Sequence, residues 1–135
     1  MQYILLIYAA EPTETPPQDQ LMAELAEYDK VTRYLRDRGA MLAGEALRTT
    51  RTATTVRVVD GRTITTDGPY AETKEALGGF YLVEAADLDE AISFAAMIPG
   101  ARYGAIEIRP IWDYGADDET AAVGAAAAGD DGAGS

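Results

Sequence analysis

The sequence predicts an α+β fold made of a β-α-β unit, a polar hairpin and a second β-α-β unit, with both helices on one face of an antiparallel sheet. Three observations carry that expectation. A continuous apolar segment opens the chain, two capped amphipathic segments follow apolar strands, and Asp60-Gly61 joins two β-rich runs between them. At 135 residues the chain is long enough for one domain with a sizeable core.

Residues 2–10, QYILLIYAA, are apolar, β-branched and aromatic without a break and are bounded by Glu11-Pro12, the pattern of a central strand buried on both faces. Thr15-Pro16-Pro17-Gln18 then combines a capping residue, a proline at the first helical position and a Gln three residues on. The helix so marked extends to about residue 38, with Leu21, Leu25, Tyr28, Thr32 and Leu35 as its inward stripe. Gly39 supplies the left-handed stop. Residues 41–48 form the second strand.

Residues 55–59 and 62–66 pair through Asp60-Gly61, a strong two-residue hairpin signal. The hairpin is rich in Thr, and from 48 to 62 it carries Arg48, Arg51, Arg57 and Arg62 against the single acid Asp60, which places it outside the main core. Residues 79–85 form another apolar strand. Asp87-Leu88-Asp89-Glu90 is a capping box that opens a short helix with Leu88, Ile92 and Ala95 inward and Pro99-Gly100 at its end. In the last strand, residues 105–111, Ile106 and Ile108 alternate with Glu107 and Arg109. This element order is that of a ferredoxin-like sandwich with an extra hairpin.

The domain so defined covers residues 1–114. From 115 to 135 the chain holds only Gly, Ala, acids, one Val and two small hydroxyl residues, which predicts a disordered acidic tail. A net charge of −12 speaks against electrostatic capture of nucleic acid or of an anionic membrane. With no Cys and no His, disulfides, thiolate nucleophiles, Cys/His zinc sites and Ser-His-Asp triads are excluded. The longest apolar run, residues 3–10, is too short to span a bilayer and no secretory signal opens the chain, so a cytoplasmic location is expected. No cofactor is expected, because Gly78-Gly79 lacks a dinucleotide or Walker context. No metal site is expected either.

If the helices cover one face of the sheet, the apolar first strand leaves the other face in need of a cover. A second copy packed face to face provides one. Glu107 and Arg109 would then face a partly closed cavity, where a small molecule can bind.

The stretch Thr66-Asp67-Gly68-Pro69-Tyr70-Ala71-Glu72-Thr73-Lys74-Glu75, followed by Leu77-Gly78-Gly79-Phe80-Tyr81, resembles the signature of the DGPF group of YCII-related proteins. Tyr70 stands where the motif has Phe. The resemblance extends to YILLIY, to Gly44-Glu45-Ala46-Leu47, to the acidic box at 87–90 and to the segment from Gly104 to Pro110, so it covers nearly all of residues 1–112. It implies a dimeric α+β barrel, a homodimer whose cleft holds a His and Asp pair, and relatives that act on lactones or dehalogenate such rings. This chain has no His, so only the acidic half of that chemistry carries over, at Asp67 or another carboxylate. The association of the group with extracytoplasmic-function sigma factors implies a regulatory or accessory role as the alternative.

Each candidate group has an ordinary and a functional explanation. Asp67-Gly68-Pro69 either turns the chain at the hairpin end or sets Asp67 at the cleft as a general base. Lys74, flanked by Glu72 and Glu75, is either a solvated ion-pair partner or a hook for an anion. Arg48 and Arg109, with Glu45 and Glu107 on the same two strands, either pair across neighbouring strands or grip a substrate carboxylate. Tyr70 and Tyr81, like Tyr8 and Tyr103, either pack or line a pocket with their hydroxyls. The expected ligand is a small anionic organic molecule, and the basic hairpin is the expected contact for any acidic partner.

Overall fold

The structure is a computed structural model that describes residues 1–115. The expected acidic tail lies, apart from Gly115, outside the described residues. Six strands and two helices follow in the order β1 (Gln2–Ala9), α1 (Gln18–Asp37), β2 (Met41–Ala46), β3 (Thr54–Val59), β4 (Arg62–Asp67), β5 (Ala76–Glu84), α2 (Leu88–Met97) and β6 (Ala105–Pro110). The main sheet has the antiparallel order β2-β5-β1-β6, and β3-β4 forms a separate two-stranded sheet. This is the ferredoxin-like arrangement with a hairpin inserted between β2 and β5.

β1 occupies a central position, as its unbroken apolar character requires. Its odd-numbered residues face the helices. Tyr3 and Leu5 join Val31 and Leu35 of α1, Tyr81 and Val83 of β5, and Ala91 and Phe94 of α2 in one buried core. The two helices touch through Tyr34 and Phe94, whose rings meet edge to face with centroids 6.3 Å apart.

Helix α1 starts at Gln18, three residues after the Thr15 cap that the sequence predicts. Pro17 is its cap residue in an extended conformation (ψ 147°) and no side chain caps the helix. Pro17 biases Pro16 away from helical geometry, which disfavours a helix that begins at Pro16 under a Thr15 cap. The buried stripe is also rotated. Val31 and Leu35 are buried, whereas Leu25 is 63% exposed. Gly39 (φ 70°) does end the helix, and the Ala40 N–H donates to the Leu35 carbonyl at 2.8 Å.

Helix α2 is capped as predicted. The Glu90 N–H donates to the Asp87 carboxylate at 2.9 Å, and Glu90 returns to accept from the Ala86 N–H at 2.7 Å. Its inward face is Ala91, Phe94 and Ala95, while Leu88 and Ile92 are exposed. The helix is apolar around most of its circumference, so periodicity alone left its phase ambiguous. Strand β2 ends at Ala46 rather than 48, and β5 begins at Ala76 rather than 79.

The hairpin turn has Asp60 at φ 52° and Gly61 at φ 76°, both in the left-handed region that a two-residue turn of this kind requires. At the far end Gly104 allows a close crossing, since a Cβ there would sit 2.0 Å from the Tyr8 carbonyl oxygen.

Candidate functional site

The sheet face opposite the helices is uncovered in the protomer. Strand register places two rows of side chains across it. One row reads Glu45, Phe80, Leu6 and Glu107, and the next reads Ala43, Leu82, Ile4 and Arg109, each from β2, β5, β1 and β6 in turn. Ile4, Leu6, Phe80 and Leu82 are half-buried by their neighbours on the sheet alone. The middle of the face is thus apolar and its two edges carry charge.

At the β6 edge the Arg109 Nε–H donates to Glu107 Oε2 at 2.9 Å. These side chains are two residues apart on one strand and therefore share a face. Both remain largely in water, so the pair is held weakly and the remaining guanidinium N–H groups stay available to an incoming anion. Glu45 stands at the opposite edge and has no cationic partner among the described residues. Because β2 and β6 are the two edges of the sheet, the cross-strand pairing expected between the Glu45/Arg48 and Glu107/Arg109 strands does not occur. Arg48 lies beyond the end of β2 and is exposed.

Tyr81 points the other way. It is buried under α1, its hydroxyl 3.2 Å from Thr32 Oγ1, so the structure separates it from Arg109 by the thickness of the sheet. The alternation of β5 demands this outcome, because Phe80 and Leu82 take the open face.

A second group gathers around the hairpin base. Gly68 adopts φ 108°, its N–H donates to the Ala53 carbonyl at 2.8 Å, and its carbonyl accepts from Thr55 Oγ1 at 2.8 Å. The turn of the Asp67-Gly68-Pro69 motif is therefore explained by backbone geometry. Asp67 is exposed beside it, and Tyr70, 75% exposed, stacks under Arg57 with the guanidinium 5.0 Å from the ring centre. Next to them Glu11, Thr50, Pro69, Glu72, Thr73 and Lys74 line a shallow cleft of 190 Å³. Lys74 makes no ion pair among the described residues.

Sequence reasoning missed the Glu11–Thr50 clamp that shapes this cleft. The Glu11 carboxylate accepts from the Thr50 hydroxyl at 2.7 Å and from its N–H at 2.8 Å. Those bonds hold its carboxyl below the ordinary value. The residues are 39 apart, and no local pattern marks such a contact. Beside α1, the Tyr103 hydroxyl donates to the Glu24 carboxylate, and Arg102 pairs with Glu27 at 2.8 Å. Loss of water and the Glu24 bond raise the Tyr103 phenol, and loss of water with the Glu24 charge raises Tyr28. This cluster ties α1 to the segment before β6. Among the described residues, no group of three or more carboxylates gathers that could hold a metal ion, and no helix is long and apolar enough to cross a membrane.

Fold and face together define a ferredoxin-like α+β domain with one uncovered, charge-edged sheet face and a basic hairpin. The chain belongs to the YCII-related domain family, which matches residues 1–115. It is 37% identical over 117 residues to an uncharacterised protein of Rhizobium meliloti (strain 1021), a match that covers 84% of this chain and 94% of that relative. Among solved structures it is similar to 5-chloro-2-hydroxyhydroquinone dehydrochlorinase from Burkholderia phenoliruptrix AC1100 in complex with 2,5-dihydroxybenzoquinone. That similarity has a TM-score of 0.43 and 18% identity, and covers 84% of this chain and 94% of the other.

Proposed function

We propose that the protein binds a small anionic organic molecule in a cleft formed when two copies meet through their open sheet faces. The observation that carries this reading is the open face itself, an apolar centre of Ile4, Leu6, Phe80 and Leu82 edged by Arg109, Glu107 and Glu45. An apolar surface of this kind is stabilised by a cover, and charged groups left at its edge are positioned to recognise a polar ligand. In this reading Arg109 is the anion anchor. The reaction class that fits is carboxylate-driven proton transfer, of the isomerase or lactone type, with Asp67 as the base and Lys74, Arg48 and Tyr70 as accessory ligand contacts.

Light scattering at micromolar concentration tests the association and a thermal-shift screen of small carboxylates, lactones and phosphorylated metabolites tests the ligand. A ligand present at 100 times its Kd stabilises the native state by about 2.7 kcal/mol. A saturable shift that is lost in Arg109→Ala is the expected result, and no shift across the panel overturns the ligand reading. For any lactone turned over, Asp67→Asn abolishes the rate if Asp67 is the base. Loss in Glu107→Gln alone moves that role to the sheet.

A second reading has its own observation. The basic hairpin is exposed over nearly its whole length, as a docking element for an acidic protein would be. A regulatory or accessory role in an extracytoplasmic-function sigma-factor system would use it in that way.

A further inference from the structure

The β3-β4 hairpin is an anomaly in an otherwise economical fold. Its strands pair only with each other, and eleven of their twelve residues are exposed. A two-stranded hairpin is marginally stable in water unless another element packs on it. Cross-strand register puts Arg57 opposite Ile64 and Val59 opposite Arg62, so these four side chains share one face. Tyr70 extends that face under the Arg57 guanidinium. The result is an apolar patch flanked by two arginines on a chain whose net charge is −12.

The open sheet face has the complementary character at its β2 edge. There Glu45 lies directly across from Phe80, with Ala43 across from Leu82, and Glu45 is without a cationic partner among the described residues. The Glu107 carboxylate at the other edge is already engaged by Arg109. Both the charge and the apolar match therefore favour the β2 edge.

We propose that the hairpin is an arm that lies along the β2 edge of a second copy's open face, with Arg57 and Arg62 against the partner's Glu45 and with Val59 and Ile64 against its Phe80. The cleft between two copies is then completed in trans, one copy providing the sheet and the other the arm. This inference rests on the reading that a second copy covers the open face. It would bring the Arg57–Tyr70 pair of one copy to the Glu45 of the other.

The absence of cysteine makes the test clean. Chains bearing Ile64→Cys are mixed with size-tagged chains bearing Ala43→Cys, allowed to exchange subunits, oxidised mildly and resolved without reductant. The expected result is a disulfide-linked heterodimer at least tenfold more abundant than that formed when Leu88→Cys, on the exposed side of α2, replaces Ile64→Cys. Val58→Cys, on the opposite face of the hairpin, gives no more product than the Leu88→Cys control. A dimer by light scattering whose heterodisulfide stays at the control level overturns the arm and leaves the open-face association standing. A monomer overturns both. An intrachain disulfide in the Ala43→Cys, Ile64→Cys double variant shows that the arm folds onto its own sheet, which also overturns the proposal.

Discussion

Strand β1 shows two environments one residue apart. Leu5 and Tyr3 point into the helix-covered core, Leu5 with no exposed surface at all, while Ile4 and Leu6 point to the open face and remain half-buried. The residue types on the two faces are alike, so apolar character alone does not state which face a protomer can cover by itself. The difference lies in what each face meets. One is closed by helices of the same chain, and the other is left open in the protomer.

The largest expected effect tests the closed face. Leu5→Ala removes a fully buried side chain and costs about 2–5 kcal/mol, read from urea unfolding. A loss as small as that expected of a surface site would show that the helices do not seal this face. On the open face, Leu6→Asp is expected to shift the scattering mass from dimer to monomer while the circular dichroism spectrum keeps its helix and strand signals. An unchanged mass would remove the face from the association.

Gly104→Ala probes the crossing of β1 by the segment before β6. The added Cβ would clash with the Tyr8 carbonyl, and relief by backbone movement costs roughly 1–3 kcal/mol, read from the melting transition. Tyr81→Phe sharpens the distinction between faces. It removes the hydroxyl bond to Thr32 and lowers stability by about 1 kcal/mol, but leaves ligand-induced thermal shifts intact because the ring lies on the helix side. Loss of the ligand shift with unchanged stability would return Tyr81 to the site.

The smallest effect concerns pH. Glu11 has a folded-state pKa below its unfolded value, so its contribution is present above the ordinary glutamate value of 4.5 and is lost as pH falls through the lowered one. Glu11→Gln is expected to flatten the acid limb of the stability profile in that window. An identical limb in the variant would show that the Thr50 clamp does not contribute to it.

Much of the scaffold was legible because its signals are local. The Asp60-Gly61 turn, the Gly39 stop and the Asp87 capping box all depend on backbone stereochemistry within a few residues, and each appears where its residues predict. At the start of α1 a capping residue and a double proline give competing signals, and the extended conformation of Pro17 sets the first helical residue at Gln18. The candidate site was legible only in part. Arg109 and Glu107 fall on the open face as their alternation requires, yet Tyr81 does not, and Glu45 and Arg109 stand at opposite edges. Register and strand order decide those placements, and neither is written in any short segment.

The sequence by itself determined the kind and order of the elements, the turn and cap chemistry, the absence of imidazole and thiol groups, and the polar hairpin set between the two β-α-β units. Only the tertiary structure decided which stripe of α1 and which arc of α2 would be buried, and that β2 and β6 would be the edges. The physical reason is one of range. Dihedral preferences and hydrogen-bonded caps act over a few residues, whereas the identity of a buried face is settled by packing between segments far apart in the chain, where one residue of slip inverts every side chain.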